Sequence, residues 1–241
     1  MIKQIIAIGG GGFSMEPNNP LLDLYFLQQT RKANPKICFV PTASGDSEDY
    51  LFRFYAVFSQ YECRPSHLAF FRKPTAATSP LTDLEAYLLA QDAIYVGGGN
   101  TRSMLAVWRE WGLDGILRKA WESGIVLGGI SAGAICWFQE GLTDSVPGRL
   151  GKLSGLGFIP GSCSPHYDGE AARRPAFHEF IAASQILSGV GIDDGAATYY
   201  VNEQLTEVVT SRRGATAYLV RRESHGAVEE PLKARYLGDK A

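Results

Sequence analysis

Gly129-Ile130-Ser131-Ala132-Gly133 sets one serine among small residues, after the apolar run Ile125 to Gly128 and before Ala134 to Phe138, which can continue as a helix. Strand, sharp turn and helix are the context in which G-x-S-x-G becomes a nucleophile elbow: the small residues let the backbone strain, and the serine hydroxyl stands clear of the sheet. The helix N-terminus behind it offers N–H donors to a developing oxyanion. The chemistry expected of Ser131 is therefore nucleophilic attack and acyl transfer.

Such a serine needs a base, and the chain has 4 histidines. His67 falls within an apolar strand and His178 within the helical stretch RPAFHEFIAA, positions that suit packing or surface roles. His166 follows the run LGFIPG and lies in CSPHYDGE, at a strand end, with a polar turn after it. His225 in ESHG is its competitor, because α/β-hydrolases run Ser, acid, His and often keep the histidine near the C-terminus. Asp144 in GLTDSV lies between Ser131 and His166 and is taken as the orienting acid, with Asp193 and Asp194 in GIDDG as alternatives. Glu140 is placed on the helix after the elbow.

Two other glycine-rich turns follow apolar runs, GGGGF at Gly9 to Phe13 and GGGN at Gly97 to Asn100. Neither continues into Gly-Lys-Ser/Thr, and the third glycine of a dinucleotide fingerprint is replaced by Ser14 in one and Arg102 in the other. The first is read as a tight turn beneath a pocket. No HxxxH, HxH or CxxC spacing occurs, so a zinc site is not expected, and Cys38, Cys63, Cys136 and Cys163 read as reduced thiols.

The elements that must position these groups alternate. Strands are expected at Ile2 to Ile8, Ile37 to Pro41, Ser66 to Phe70, Ala93 to Val96 and Ile125 to Gly128, with helices of 3.6-residue period at Leu21 to Ala33, Glu48 to Tyr61, Leu81 to Ala90 and Thr101 to Ser123. Asn19-Pro20 and Ser79-Pro80 mark helix starts, and Gly112 and Gly124 mark stops. Near-continuous apolar strands joined by helices imply an α/β fold: a three-layer sandwich with a mostly parallel sheet, helices on both faces and ligands at the carboxyl ends of the strands. Thr198 to Val201, Glu207 to Ser211 and Ala217 to Arg221 suggest an antiparallel C-terminal edge, with a hairpin turn at Arg213-Gly214. Residues 1–241 are read as one domain.

At 241 residues, 45% hydrophobic, 20% charged and net charge −2, the chain has the make-up of an ordinary globular protein. Scattered Lys and Arg offer no face for a phosphate backbone, so nucleic acid is not expected as a partner. No run approaches the roughly 18 apolar residues that span a bilayer, and the start has no cleavage signal, so no membrane association and a cytoplasmic location are expected. Phe52, Tyr55 and Trp108 would suit a self-association face if they are not core.

VGGGNT at Val96 to Thr101, GISAGA at Gly129 to Ala134, SPHYD at Ser164 to Asp168 and GIDDGAA at Gly191 to Ala197 together resemble the peptidase E and cyanophycinase family of serine peptidases, over nearly the whole chain. The resemblance implies a flavodoxin-like fold similar to class I glutamine amidotransferases. It implies a triad of Ser131, His166 and Asp144, and an oxyanion hole from Gly98, Gly99 and Ala132. An amidotransferase would need cysteine at the elbow, and Cys136 lies too far along. The implied activity is hydrolysis of dipeptides or short peptides from the N-terminus through an acyl-enzyme, with no metal or cofactor and with a homodimer or higher oligomer. A preference for N-terminal aspartate would call on Arg173 or Arg174 for the acidic side chain and on Glu170 or Asp193 for the free amine, with Asn100 as a further substrate contact. An esterase using His225 and a non-catalytic small-ligand module are the alternatives.

Overall fold

The computed structural model describes residues 1–71 and 83–239. The expected helix start at Ser79-Pro80 lies outside them. Five parallel strands, β1 (Gln4–Ile8), β2 (Lys36–Val40), β3 (Arg64–His67), β4 (Ala93–Val96) and β5 (Val126–Ile130), occupy the order β1-β5-β4-β2-β3. β10 (Ala196–Val201) runs antiparallel along the other side of β1, followed by β11 (Gln204–Thr210) and β14 (Ala234–Tyr236). The mostly parallel sheet with an antiparallel C-terminal edge is the architecture that the alternating pattern implied.

Side-chain alternation divides the core between the sheet's two faces. Ile6, Ile8, Phe39 and Tyr95 pack with α1 (Gly12–Met15), α2 (Leu21–Gln28) and α3 (Glu48–Phe58). Ile5, Ala7, Cys38, Val40 and Val96 face α4 (Leu84–Leu89), α5 (Thr101–Glu110) and α6 (Leu113–Glu122). Helix α5 buries Met104, Leu105 and Trp108 on one stripe, and α6 buries Leu113, Leu117, Ala120 and Trp121. The helical stretch expected from Thr101 to Ser123 is two helices, divided at the stop that Gly112 marked. The chain breaks at Gly112, whose φ of +65° ends one helix and starts the other. Trp108 is buried, Tyr55 is half-buried, and only Phe52 of the three candidate interface residues stands out, 74% exposed.

A second, six-stranded sheet is the unexpected element. It contains β6 (Phe138–Val146), β7 (Arg149–Ser154), β8 (Ile159–Ser164), β9 (Gly189–Ile192), β12 (Ala217–Glu223) and β13 (Gly226–Pro231) in the order β13-β12-β9-β8-β6-β7. After the elbow only α7 (Ala132–Ile135) is helical, so Glu140 belongs to strand β6, where its carboxylate pairs with Lys152 at 2.6 Å. β12 pairs with β9 and β13 rather than with β11, so Arg213-Gly214 joins two sheets instead of closing a hairpin. Between β8 and the close of β9, α8 (Arg173–Ala182) packs against the second sheet. Among the described residues no helix is long and apolar enough to cross a membrane.

The glycine turn after β1 is anchored by Phe13, fully buried, whose ring meets Phe39, Tyr50, Phe54, Phe58 and Tyr95 at centroid distances of 5.4 to 5.6 Å. Beneath Gly12 lies Asp23, whose carboxyl oxygens have no hydrogen-bond partner among the described residues. Burial pushes its carboxyl up to about 8, against the pull of the nearby Phe13 amide. The folded state therefore holds this proton more tightly than the unfolded chain. Its contribution is complete below about pH 4 and is lost as pH rises towards 8, at up to about 1.4 kcal/mol per pH unit. Asp23→Asn is expected to flatten that decline, so that wild-type Tm falls more than variant Tm between pH 5 and 8 in thermal melts.

Candidate active site

Three consecutive residues at the end of β1 gather the candidate catalytic groups. The Ile8 carbonyl accepts the Ser131 N–H at 3.1 Å, the Gly9 carbonyl accepts the His166 N–H at 3.4 Å, and the Gly10 carbonyl accepts the Gly195 N–H at 2.8 Å. Gly10 also bridges to Asp194. The second sheet sets the histidine and the acid side by side. β8 and β9 are parallel with Ser164 opposite Gly191, so the chain leaves both strands at one level, towards His166 and Asp194.

Ser131 sits at φ 57° and ψ −111°, a conformation that costs a non-glycine residue about 1–3 kcal/mol and is held by its surroundings. The flanking glycines show what holds it: a Cβ at Gly129 or Gly133 would stand 2.2 Å from the Val96 carbonyl oxygen. The elbow can cross the end of β4 only with glycine on either side. Cys136 offers no second nucleophile, since it is fully buried, its Sγ donates to the Gly133 carbonyl, and burial pushes its thiol well above the ordinary range.

His166 Nδ1 lies 2.7 Å from Asp194 Oδ1. A carboxylate oxygen accepts, so Nδ1 carries the proton and Nε2 is left as the basic nitrogen. Asp194 is held in turn: its N–H donates to Asp168 Oδ1 at 2.8 Å, and the Arg212 guanidinium bonds both the Asp168 carboxylate and the Asp194 carbonyl. The structure does not bring Asp144, the expected orienting acid, to His166. Asp144 lies on strand β6 with its side chain 62% exposed, 3.3 Å from Arg173, and it has no contact with His166. Asp194 was one of the two aspartates kept as alternatives. Asp168 was legible only as part of the SPHYD motif, and Arg212 carried no signal at all, because its role arises where the chain after β11 meets the Asp194–Gly195 turn that follows β9.

Gly10 has a specific reason to be glycine. A Cβ there would fall 1.9 Å from Asp194 Oδ1 and 3.1 Å from His166 Nδ1. The displaced atom is the end of a side chain, so Gly10→Ala is expected to leave the fold intact while pushing the carboxylate off the imidazole. A drop in kcat of at least about 100-fold with little change in Tm is the expected result, read from steady-state kinetics beside a thermal melt.

The loop after β4 closes the other side of Ser131, with the position of a Gly98 Cβ 3.3 Å from the serine Cβ. The Gly98 N–H, however, donates to the Tyr50 hydroxyl at 3.1 Å, which removes it from the expected oxyanion hole. The Gly99 and Ala132 amides have no such hydrogen bond among the described residues.

The predicted substrate contacts are committed within the protein. Asn100 caps α5 by accepting from the Ser103 N–H at 2.9 Å and donates to the Ser145 carbonyl at 2.9 Å. Arg173 is 2% exposed, bonding Glu170 at 2.6 Å and the Leu142 carbonyl at 3.0 Å. Arg174 pairs with Glu229 and lies over the Tyr218 ring at 4.6 Å. Asp193 is 3% exposed and accepts from the Thr216 N–H at 3.0 Å; burial pushes its carboxyl up to about 6, against the pull of that amide. Two of these commitments are local, Glu170 to Arg173 and Asn100 to Ser103, while Ser145, Leu142, Glu229 and Thr216 come from distant segments that the sequence does not place beside their partners.

Comparison with known proteins identifies the family. Residues 5–208 match the model of peptidase family S51. The chain is 54% identical over 237 residues to the uncharacterized peptidase YgaJ of Bacillus subtilis (strain 168), covering 98% of this chain and 100% of that protein. It is 31% identical over 125 residues to peptidase E of Shewanella amazonensis, covering 48% of this chain and 53% of the relative. A solved peptidase from an acI-B1 actinobacterium has a similar fold, with a TM-score of 0.74 at 17% identity, covering 97% of this chain and 95% of that one. With the elbow, the histidine and the glycine turns all inside the matched span, the chain belongs to peptidase family S51.

Proposed function

We propose that this chain is a serine exopeptidase that hydrolyses dipeptides or short peptides from the N-terminus, with Ser131 as nucleophile, His166 as general base and acid, and Asp194 as the orienting carboxylate. The observation that carries the reading is the His166–Asp194 hydrogen bond, anchored with the strained Ser131 on the consecutive residues Ile8, Gly9 and Gly10 where β1 ends. His166 Nε2 takes the hydroxyl proton as Ser131 Oγ attacks the scissile carbonyl. The amides of Gly99 and Ala132 receive the oxyanion, and the imidazolium protonates the leaving amine. Water, deprotonated by the same nitrogen, then releases the acyl group.

Arg173 and Glu170 are spent on each other, so no requirement for N-terminal aspartate is assigned. The test is covalent labelling by a fluorophosphonate, located by peptide mass spectrometry, together with turnover of Asp-Leu, Ala-Leu and Met-Leu. Labelling at Ser131 and comparable cleavage of all three peptides are expected. Absence of label, or label at another residue, would overturn the reading.

A further inference from the structure

Between the first turn of α5 and the β6–β7 hairpin lies a cavity of about 260 Å³ with two arginines on its wall. Neither Arg102 nor Arg149 has an acidic partner among the described residues, whereas Lys152, the third cation there, is paired with Glu140. The polar floor is already satisfied. Thr143 and Ser145 are buried and bond each other at 2.7 Å, and Ser145 Oγ also accepts the Arg102 N–H at 3.2 Å. The donors left for a ligand are the two guanidiniums, whose planar forks match a carboxylate. Val146, Leu150 and Phe180 make the remaining wall apolar.

The cavity is tied to the elbow through covalent chain. Gly98 lies against Ser131, and Arg102 follows in the same run, so their backbones are at most about 14 Å apart at roughly 3.6 Å per residue. An extended peptide with its scissile carbonyl at Ser131 would span that distance in a few residues. The volume falls below the roughly 300–1,000 Å³ of sites that take drug-sized ligands, which suits the end of a chain better than a nucleotide or a polymer.

We propose that this cavity receives the C-terminal residue of a short peptide substrate, with Arg102 and Arg149 holding its α-carboxylate and Val146, Leu150 and Phe180 covering an apolar side chain. The inference rests on the peptidase reading and deepens it, since a fixed carboxylate site selects peptides by length. Long chains and blocked C-termini cannot place a charge there.

Calorimetric titration of the Ser131→Ala protein with Ala-Ala-Leu, as the free acid and as the C-terminal amide, tests it without turnover. The free acid is expected to bind roughly ten- to a hundred-fold more tightly, the size of a charge-assisted contact, and Arg149→Gln in the same background is expected to bring that ratio below about three. Arg213→Gln, an exposed partner of Asp239, is expected to leave the ratio unchanged. Equal affinity for acid and amide, a preference that survives Arg149→Gln, or displacement of the peptide acid by inorganic phosphate at lower concentration would each overturn the proposal. Turnover of the same peptide by the wild type reports separately on the peptidase reading, because a binding preference without hydrolysis would sink that reading and leave the carboxylate site standing.

Discussion

His166→Ala is expected to lower kcat on a cleaved dipeptide by about five to six orders of magnitude, while His225→Ala leaves it within two-fold. The first figure is the typical loss when the base of a serine hydrolase is removed, because the residues of such a unit act together and the remaining hydrogen-bond donors cannot deprotonate the nucleophile. Ser131→Ala is expected to fall to the same floor, and the Ser131→Ala/His166→Ala double variant no further. That non-additivity separates a catalytic pair from two independent contributions. The placement of His225 is equally decisive. It lies exposed in the turn between β12 and β13, at the edge of the second sheet, where Glu223 pairs with Gly226. Activity that depended on His225 would exclude the assignment of the base.

Asp194→Asn is expected to reduce kcat by about 10³- to 10⁴-fold, and Asp144→Asn by less than about three-fold. An asparagine at 194 can donate towards His166 Nδ1, which favours the tautomer with the proton on Nε2, and the nitrogen facing Ser131 is then no longer a base. The measurement is kcat against pH for both variants, since loss of the correct tautomer lowers activity while the fold is retained. Asp144 is 62% exposed and its carboxylate lies 3.3 Å from Arg173, so its loss leaves the His166–Asp194 hydrogen bond in place. A large loss in Asp144→Asn with little in Asp194→Asn would reverse the assignment.

The difference between these two aspartates shows how far the chain could be read. In linear order Asp144 lies between Ser131 and His166, and nothing local distinguishes it from Asp193 or Asp194. The choice is made by the parallel register of β8 and β9, which brings Gly191 level with Ser164 and therefore Asp194 to His166. A register is a pairing between distant segments, and β9 is a short strand of Gly189, Val190, Gly191 and Ile192 without a strong pattern of its own. The second sheet escaped for the same reason. Its strands β6 and β7 mix polar and apolar residues, and the burial of neither follows a strict two-residue alternation, so their period carries little information.

The Gly98 amide is a related case. Glycine at that place was readable as a turn beside the nucleophile, but the hydroxyl of Tyr50, from helix α3, had to arrive before its N–H was known to be occupied. Arg173 likewise looked like a free cation in RRPAFHEF. Folding buried it beneath Glu170 and the Leu142 carbonyl, because a guanidinium on the inner face of α8 can be buried only when its donors are met.

By itself the sequence determined the elements that depend on near neighbours. Strands β1, β2, β4 and β5 follow from continuous apolar runs, whereas β3 forms at Arg64–His67, ahead of the expected Ser66 to Phe70, and helices α3, α5 and α6 follow from their apolar stripes. The elbow follows from glycines that flank a serine between strand and helix, and His166 is marked as the candidate base by its strand-end setting. The tertiary structure alone decided which carboxylate meets that base, which amides stay open to an oxyanion, and which charges remain free to meet a substrate. Those outcomes turn on hydrogen bonds between residues tens or hundreds of positions apart, where the partner of a polar group is set by the packing of whole sheets and not by its neighbours in the chain.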